Sequence, residues 1–257
     1  MNFQPKFRPG ENLLLAALPR TERDRLDPFL QRVRLEAGHP ITTPGEPIPQ
    51  LYFPYDAVTS TVQEMSDGST IETGLMGIEG LAGVQVWLRQ RTTVATTFVQ
   101  VAGTAHRIST EDFIREIRDR PSPLNDLIAG YVHAFLVLTS LTAACNRLHP
   151  VDQRMCRWLR MTYNRAQRSE FALRHEFLAN MLGVHRPTVT TAARMLQKAG
   201  LIDYRYGKLT ILSPQGLLEG TCECYSLMEA QFEKIFNQQW LEIAEIGPSE
   251  QMDSSER

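Results

Sequence analysis

The chain reads as an α+β protein with an N-terminal jelly roll, one long helix and a C-terminal winged helix-turn-helix. Three observations carry that reading. Residues 33–109 alternate short apolar or β-branched runs with turn clusters, residues 124–148 keep one unbroken apolar periodicity, and residues 174–212 set two short amphipathic helices ahead of a hairpin. At 257 residues and 42% apolar content the chain can bury a sizeable core, divided between two main domains.

Residues 12–30 have a helical pattern, with Leu13, Leu14, Leu15 and Leu18 before the breaker Pro19 and Leu26, Phe29 and Leu30 after it. The runs RVRLEA, LYFP, AVTSTVQEM, STIETGLM, TTVATTFVQV and AHRIS then predict strands, separated by turns at Thr43-Pro44-Gly45, Ser66-Asp67-Gly68 and Ala102-Gly103-Thr104. Asp67-Gly68 is the clearest hairpin signal of the set. Many short strands imply a barrel or jelly-roll sandwich. A catalytic metal in such a roll needs clustered histidines and a carboxylate, but the segment has only His39 and His106, far apart. Neither a nucleophile elbow nor a phosphate-cradling glycine loop occurs, so no enzyme activity is expected.

After Pro121 and Pro123 a helix should run from about Leu124 to Leu148. Leu124, Ile128, Tyr131, Phe135, Leu138, Thr142 and Cys145 fall at alternating spacings of four and three, the seam of a two-stranded coiled coil. Ile128, Tyr131, Phe135 and Leu138 are therefore the expected homodimer contacts. A second row, Leu127, Ala134 and Leu141, lies beside the seam; the competing reading is a core helix within one chain, apolar on most sides.

In the stretch RHEFLANMLGVHRPTVTTAARMLQKAGLIDYRYGK, Leu178 and Leu182 would be buried at i, i+4, Ala179 would keep a helix crossing close, and Gly183 would supply a sharp turn. The next helix starts near His185, because Pro187 fits only a first helical turn, where its missing amide would have had no partner. Val189, Ala192, Ala193 and Leu196 form the inner face, leaving Arg186, Thr188, Thr190, Thr191 and Arg194 outward. Leu201 to Arg205 and Leu209 to Leu212 flank Tyr206-Gly207-Lys208 as a two-stranded wing. A short, polar, partly basic helix of this kind can enter a DNA major groove, a reading that a plain helical hairpin would not need the wing to satisfy.

Charge is segregated along the chain. Residues 154–208 hold eleven Lys and Arg against three acids, +8, whereas the remainder holds 16 basic and 26 acidic residues, −10. A basic segment coinciding with the motif suits double-stranded DNA; the alternative partner, a protein bound by the winged helix, has no need of the excess. Cys145, Cys156, Cys222 and Cys224 are scattered apart from one C-x-C pair, whose members two apart would point to different sides of a helix. Reduced structural thiols and no metal site are expected. The start, MNFQPKFRPGEN, has no apolar targeting segment and no apolar run nears a membrane span, so a cytoplasmic protein without a membrane partner is expected. Leu217 to Trp240 again reads helical, and GPSEQMDSSER from Gly247 reads as a polar, acidic, disordered tail.

Roll, long helix and winged helix in this order resemble the Crp/Fnr family of bacterial transcription regulators, over nearly the whole chain to about Leu217. The winged helix is the specific part. LYFPYDAV at 51–58, DGSTIETGLMG at 67–77 and GIEGLAG at 77–83 resemble members whose effector domain keeps the cyclic-nucleotide-binding fold. The resemblance implies a homodimer that contacts promoter DNA and RNA polymerase. It divides the chain into a cyclic-nucleotide-binding-like roll (1–120), a dimerisation helix (121–148), a winged helix-turn-helix (149–216) and a helical extension with its tail (217–257). By the resemblance Arg186 matches an arginine that reads guanine and Thr188 a threonine that meets phosphate, while Pro187 and Thr191 stand where the cyclic-AMP receptor has glutamate and arginine. His185, Thr190 and Arg194 complete the expected DNA-binding set, with Arg174 and Lys208 on phosphates. In the roll, Glu79, Gly80, Arg91 and Thr92 are the only counterparts of the nucleotide cassette, and a degenerate one. The expectation is that cyclic AMP is not an effector. The missing amino-terminal cysteine cluster also argues against iron-sulfur oxygen sensing.

Overall fold

The computed structural model describes residues 11–245, with side chains to residue 236. The expected acidic tail and the first ten residues lie outside them. Helices α1 (Leu13–Ala16) and α2 (Arg20–Leu26) are separated at Pro19, as the sequence predicts. Asn12 fastens α1 to the roll: its Oδ1 accepts from Leu14 N, and its amide donates to the carbonyls of Pro54 and Gly80, 2.9 Å each.

The roll is two antiparallel sheets. One has the order β1 (Gln31–Leu35), β7 (Gly103–Ser109), β3 (Gln50–Pro54); the other runs β2 (Pro40–Thr42), β6 (Thr96–Val101), β4 (Val58–Glu64), β5 (Thr70–Met76). Strand β2 and the late start of β6 depart from expectation. The predicted turn at Ala102-Gly103-Thr104 shrinks to Ala102 alone, because β6 and β7 belong to opposite sheets and the chain crosses directly between them. Asp67-Gly68 does turn the β4–β5 hairpin, where Gly68 has a φ of +80° and Asp67 Oδ1 accepts from Ser69 N.

After a short helix α3 (Thr110–Phe113) and a π-turn, α4 (Pro123–Leu148) crosses the roll. Ser122 caps it by accepting from Leu124 N, and Pro123 occupies the first turn. The expected dimer seam is overturned here. Ile128, Tyr131 and Leu138 are 0%, 0% and 1% exposed within the single chain, and Phe135 is half-buried. They face the roll: a Cβ at Gly74 would lie 2.4 Å from the Phe135 ring, and one at Gly80 would lie 2.9 Å from the Tyr131 ring. Glycines in β5 and the following turn admit these rings, so the core-helix reading describes this row. By length and composition α4 could also cross a membrane, with a mean hydropathy of 1.7, contrary to the expectation that no apolar run nears that length. A third of that apolar window is buried within the chain, so packing on the roll covers only part of it.

The C-terminal part comprises α5 (Val151–Ala166), β8 (Glu170–Ala172), α6 (His175–Leu182), α7 (Arg186–Lys198), β9 (Ile202–Arg205), β10 (Lys208–Ile211), α8 (Pro214–Glu219) and α9 (Glu223–Glu245). β8 adds a third strand to the wing, in the order β8-β10-β9. The helix expected from Leu217 to Trp240 is two helices broken around Gly220. Roll and winged helix pack on each other through buried polar contacts: Trp158 Nε1 donates to Glu72 Oε1 (3.0 Å), and Arg165 Nε to Glu79 Oε1 (2.6 Å).

Candidate nucleic-acid interface

Between α6 and α7 the chain turns at Gly183, whose φ is +58° and whose Cβ, were there one, would lie 2.7 Å from Ile71 Cδ1. The left-handed backbone favours glycine here, and a side chain would also displace the end of Ile71. Leu178, Ala179 and Leu182 are buried on one side of the turn, and Val189, Ala192, Ala193 and Leu196 on the other. Burial of each leucine contributes about 2 kcal/mol, which holds α7 in place with its outer face free.

That face carries most of the expected set. His185 is the N-cap of α7, Arg186 and Pro187 open its first turn, and His185, Arg186, Pro187, Thr188, Thr191 and Arg194 are exposed. Thr190 is not part of it. Its hydroxyl donates to the Arg186 carbonyl (3.1 Å) and meets His175 Nδ1 (3.0 Å), and the His175 ring stacks on Tyr204 with centroids 4.4 Å apart. Thr190 therefore joins α7 to α6 and the wing instead of facing outward, because its position on the helix looks back toward α6. Burial lowers the pKa of His175, and the nearby charges of Arg186 and Arg194 lower it further.

The wing turns at Tyr206 and Gly207, with φ of +52° and +76°, the two left-handed residues of a tight hairpin. Tyr206 is fully exposed at the tip, a residue the sequence reading treats only as a turn; an aromatic in a two-residue hairpin was the available signal. Leu173 N donates to Gly207 O (2.8 Å) and Tyr204 Oη to Leu173 O (2.7 Å), so the wing is tied beside the exposed Arg174. Arg186 Nη1 lies 2.9 Å from Glu176 Oε1, and Lys208 Nζ 2.7 Å from Glu170 Oε1. All four groups are exposed, so these pairs contribute little, and phosphate oxygens can take the place of the carboxylates.

The basic excess at the surface is smaller than the sequence alone implies. Of the eleven cations, Arg154, Arg157, Arg160 and Arg165 lie buried along α5. Seven remain on the surface, Arg168, Arg174, Arg186, Arg194, Lys198, Arg205 and Lys208. An excess over the three acids survives, smaller by the four arginines that the core absorbs.

The expected effector residues do not converge. Glu79 is buried on Arg165 and Gly80 beneath Tyr131, whereas Arg91 is 61% exposed on a surface loop, 4.0 Å from Glu111, and Thr92 is exposed beside it. Trp87 Nε1 donates to Asn125 Oδ1 of α4 (2.8 Å), which fixes the preceding segment against the helix. Three cysteines do converge, contrary to expectation. Cys145, Cys222 and Cys224 gather with His149, because Cys222 precedes α9 and the rule that residues two apart diverge on a helix does not apply to it.

A β-roll joined by a long helix to a winged helix-turn-helix is the arrangement of the described residues. Residues 153–219 are a Crp-like helix-turn-helix domain, and the chain has the fold of the Crp/Fnr family of transcriptional regulators. A Crp/Fnr family protein from Eubacterium rectale is 19% identical, with 82% of this chain and 99% of that one covered at a TM-score of 0.61. The c-di-GMP-responsive global regulator CLP of Xanthomonas campestris is 17% identical, with coverage of 76% and 100% and a TM-score of 0.60. FixK2 of Bradyrhizobium japonicum is 12% identical, with coverage of 75% and 98% and a TM-score of 0.61. No curated protein sequence matches the chain significantly.

Proposed function

We propose that this chain is a transcription regulator that binds a palindromic DNA site as a homodimer, with α7 in the major groove and the wing on the flanking backbone. The observation that carries this is the exposed first turn of α7, Arg186 to Thr188, presented beside the wing by a domain of the Crp-like helix-turn-helix type. Arg186 reads a guanine edge; Arg174, Thr188 and Lys208 hold phosphates.

Dimerisation uses the face of α4 that the core leaves free. Ala129, His133, Leu136, Ser140, Ala143 and Arg147 are exposed and follow one another at spacings of four and three, with Leu136 62% exposed. This row replaces the buried one as the twin-helix contact, and a pair of α7 helices about 34 Å apart then meets successive major grooves. A regulator of this kind works beside the chromosome, in the cytoplasm, and engages RNA polymerase at its promoters.

Genome-wide mapping of bound DNA tests the reading. A palindromic consensus whose half-sites are about one helical turn apart is the expected result; recovery of no enriched sequence overturns it.

A further inference from the structure

Four side chains without a part in DNA reading meet where α4 ends and α9 begins. Cys145 stands in the last turn of α4, His149 is its C-cap, and Cys222 and Cys224 flank the first residue of α9. Their three sulfurs and one imidazole nitrogen all lie within 4.8 Å of one another. Cys145 Sγ is 3.5 Å from Cys222 Sγ, and Cys224 Sγ is 3.7 Å from His149 Nδ1. We propose that Cys145, His149, Cys222 and Cys224 bind one zinc ion in a tetrahedral Cys3His site that clamps the C-terminal helix to the joint between α4 and α5.

Donor chemistry selects the metal. Three thiolates with one imidazole are soft to borderline ligands that suit zinc and exclude magnesium or calcium, and four protein ligands close the coordination sphere as structural zinc sites do. Spacing selects a single ion. Zinc–sulfur bonds of about 2.3 Å place tetrahedral ligand sulfurs about 3.8 Å apart, close to the 3.5 Å between the Cys145 and Cys222 sulfurs, and the whole set spans no more than 4.8 Å. An iron-sulfur cluster distributes its cysteines over several irons and holds them farther apart.

The surroundings match. His149 turns Nδ1 toward Cys224 and Nε2 toward Glu223 Oε1, 3.2 Å away. With Nε2–H donating to that carboxylate, the Nδ1 lone pair faces the sulfurs, which is the outer arrangement that orients metal-bound histidines. Zinc with three thiolates also carries one negative charge, and two guanidiniums stand by to balance it. Arg157 is 4% exposed, its Nη1 points at the sulfurs of Met161 and Met228, and its Nε has no partner. Arg154 bonds Asn146 and the Leu182 carbonyl, and its Nε is likewise unpartnered. Arg154 is held by neutral groups and Arg157 has the charge of Glu72 in the roll; both interact electrostatically with Cys145, so an anionic metal centre there adds a counter-charge to each.

The place of the site gives its consequence. His149 and Pro150 form the joint from which α5, and with it the winged helix, departs, and α9 packs along α4. A metal here fixes that joint from the side of the C-terminal extension.

The test is the metal content of the full-length protein purified without added metal, by inductively coupled plasma mass spectrometry. About one zinc per chain is expected for the wild type and for Cys156→Ser, whose thiol lies outside the cluster, and loss of that zinc for Cys145→Ser and for Cys224→Ser. Glu223→Gln should keep the metal with about tenfold weaker affinity. Since a ligand variant can also unfold, the intact wild type provides a second reading. Exchange for cobalt should give thiolate-to-cobalt charge transfer and the intense bands of a tetrahedral ion, and mercurial titration of the thiols should release zinc in step. Protein free of zinc that takes up no cobalt overturns the proposal. So does zinc retained by both ligand variants, iron accompanied by acid-labile sulfide, or a Cys145–Cys222 disulfide in the purified chain. Metal content is read without DNA, so failure of this site and failure of the DNA reading are separate results.

Discussion

On the proposed reading, sequence specificity rests on Arg186, which opens α7 and whose partner in the free chain, Glu176, is as exposed as itself. Arg186→Ala should lose about 1 to 3 kcal/mol of binding to the operator while binding to random DNA changes less. Arg174→Ala and Lys208→Ala should weaken both DNAs alike and reduce the salt slope by about one unit each. Fluorescence anisotropy against salt on both DNAs checks this; equal losses for Arg186→Ala on the two would remove it as the base reader. Glu79 shows how a motif can be seen and its use misread. GIEGLAG marks it in the sequence, yet its carboxylate is spent on Arg165, which only the folding of α5 onto the roll brings near. Glu79→Gln should therefore destabilise the fold by about 1 to 3 kcal/mol, as read by chemical denaturation, because the buried guanidinium keeps only Glu229 Oε1, 3.5 Å away, as its carboxylate partner. Calorimetry with cyclic AMP should show no binding to the wild type, because Arg91 stands on the surface and Tyr131 covers Gly80. A stoichiometric heat that disappears in Arg91→Ala would reverse that expectation.

At the scale of elements, α4 carries two heptad rows, and the more apolar one is not the one a partner can reach. Phe135→Glu puts a charge against Gly74 inside the chain and should unfold or loosen the roll, whereas Leu136→Glu changes an exposed side chain. Leu136→Glu should yield folded monomers by sedimentation, and these should bind the operator far more weakly because the second half-site contact is lost. An intact dimer for Leu136→Glu would exclude this face. Periodicity made α4, the β4–β5 hairpin and the helix-turn-helix legible, since each is set by neighbours in sequence: Ser122 and Pro123 start α4, Asp67-Gly68 turns the hairpin, and Gly183 and Pro187 fix α6 and α7. Periodicity says which residues are apolar together, not what covers them, and so it could not choose between the rows of α4. The short strands β2 and β8 escaped because three residues carry no period. The meeting of Cys145 and His149 with Cys222 and Cys224 depends on a contact more than 70 residues apart in sequence, which no local pattern encodes.

Taken whole, the molecule is held together across its two domains by acids of the roll and bases of α5, and one of these acids makes that union sensitive to pH. Glu72 is fully buried between Ser60, which donates to Oε2 at 2.7 Å, and Trp158, which donates to Oε1 at 3.0 Å. Burial pushes its pKa up to about 7, against the opposing pull of these hydrogen bonds and of the charges on Arg157 and Arg165. A carboxyl with a raised pKa binds its proton more tightly in the folded chain than in the unfolded one. Its contribution to stability is therefore most favourable below the ordinary carboxylate value and declines as pH rises from about 4.5 to about 7, after which it is constant. The full decline is up to about 3 kcal/mol. Glu72→Gln keeps the acceptor for Trp158 and cannot ionise, so it should flatten the dependence of stability on pH across this window and gain on the wild type most at pH 8. Denaturant titrations at pH 5 and pH 8 decide the matter, and an equal difference between variant and wild type at both would show that Glu72 does not titrate there. Because Glu72 is on β5 and Trp158 on α5, the same variant should also narrow any pH dependence in operator affinity that arises from loosening of the winged helix on the roll.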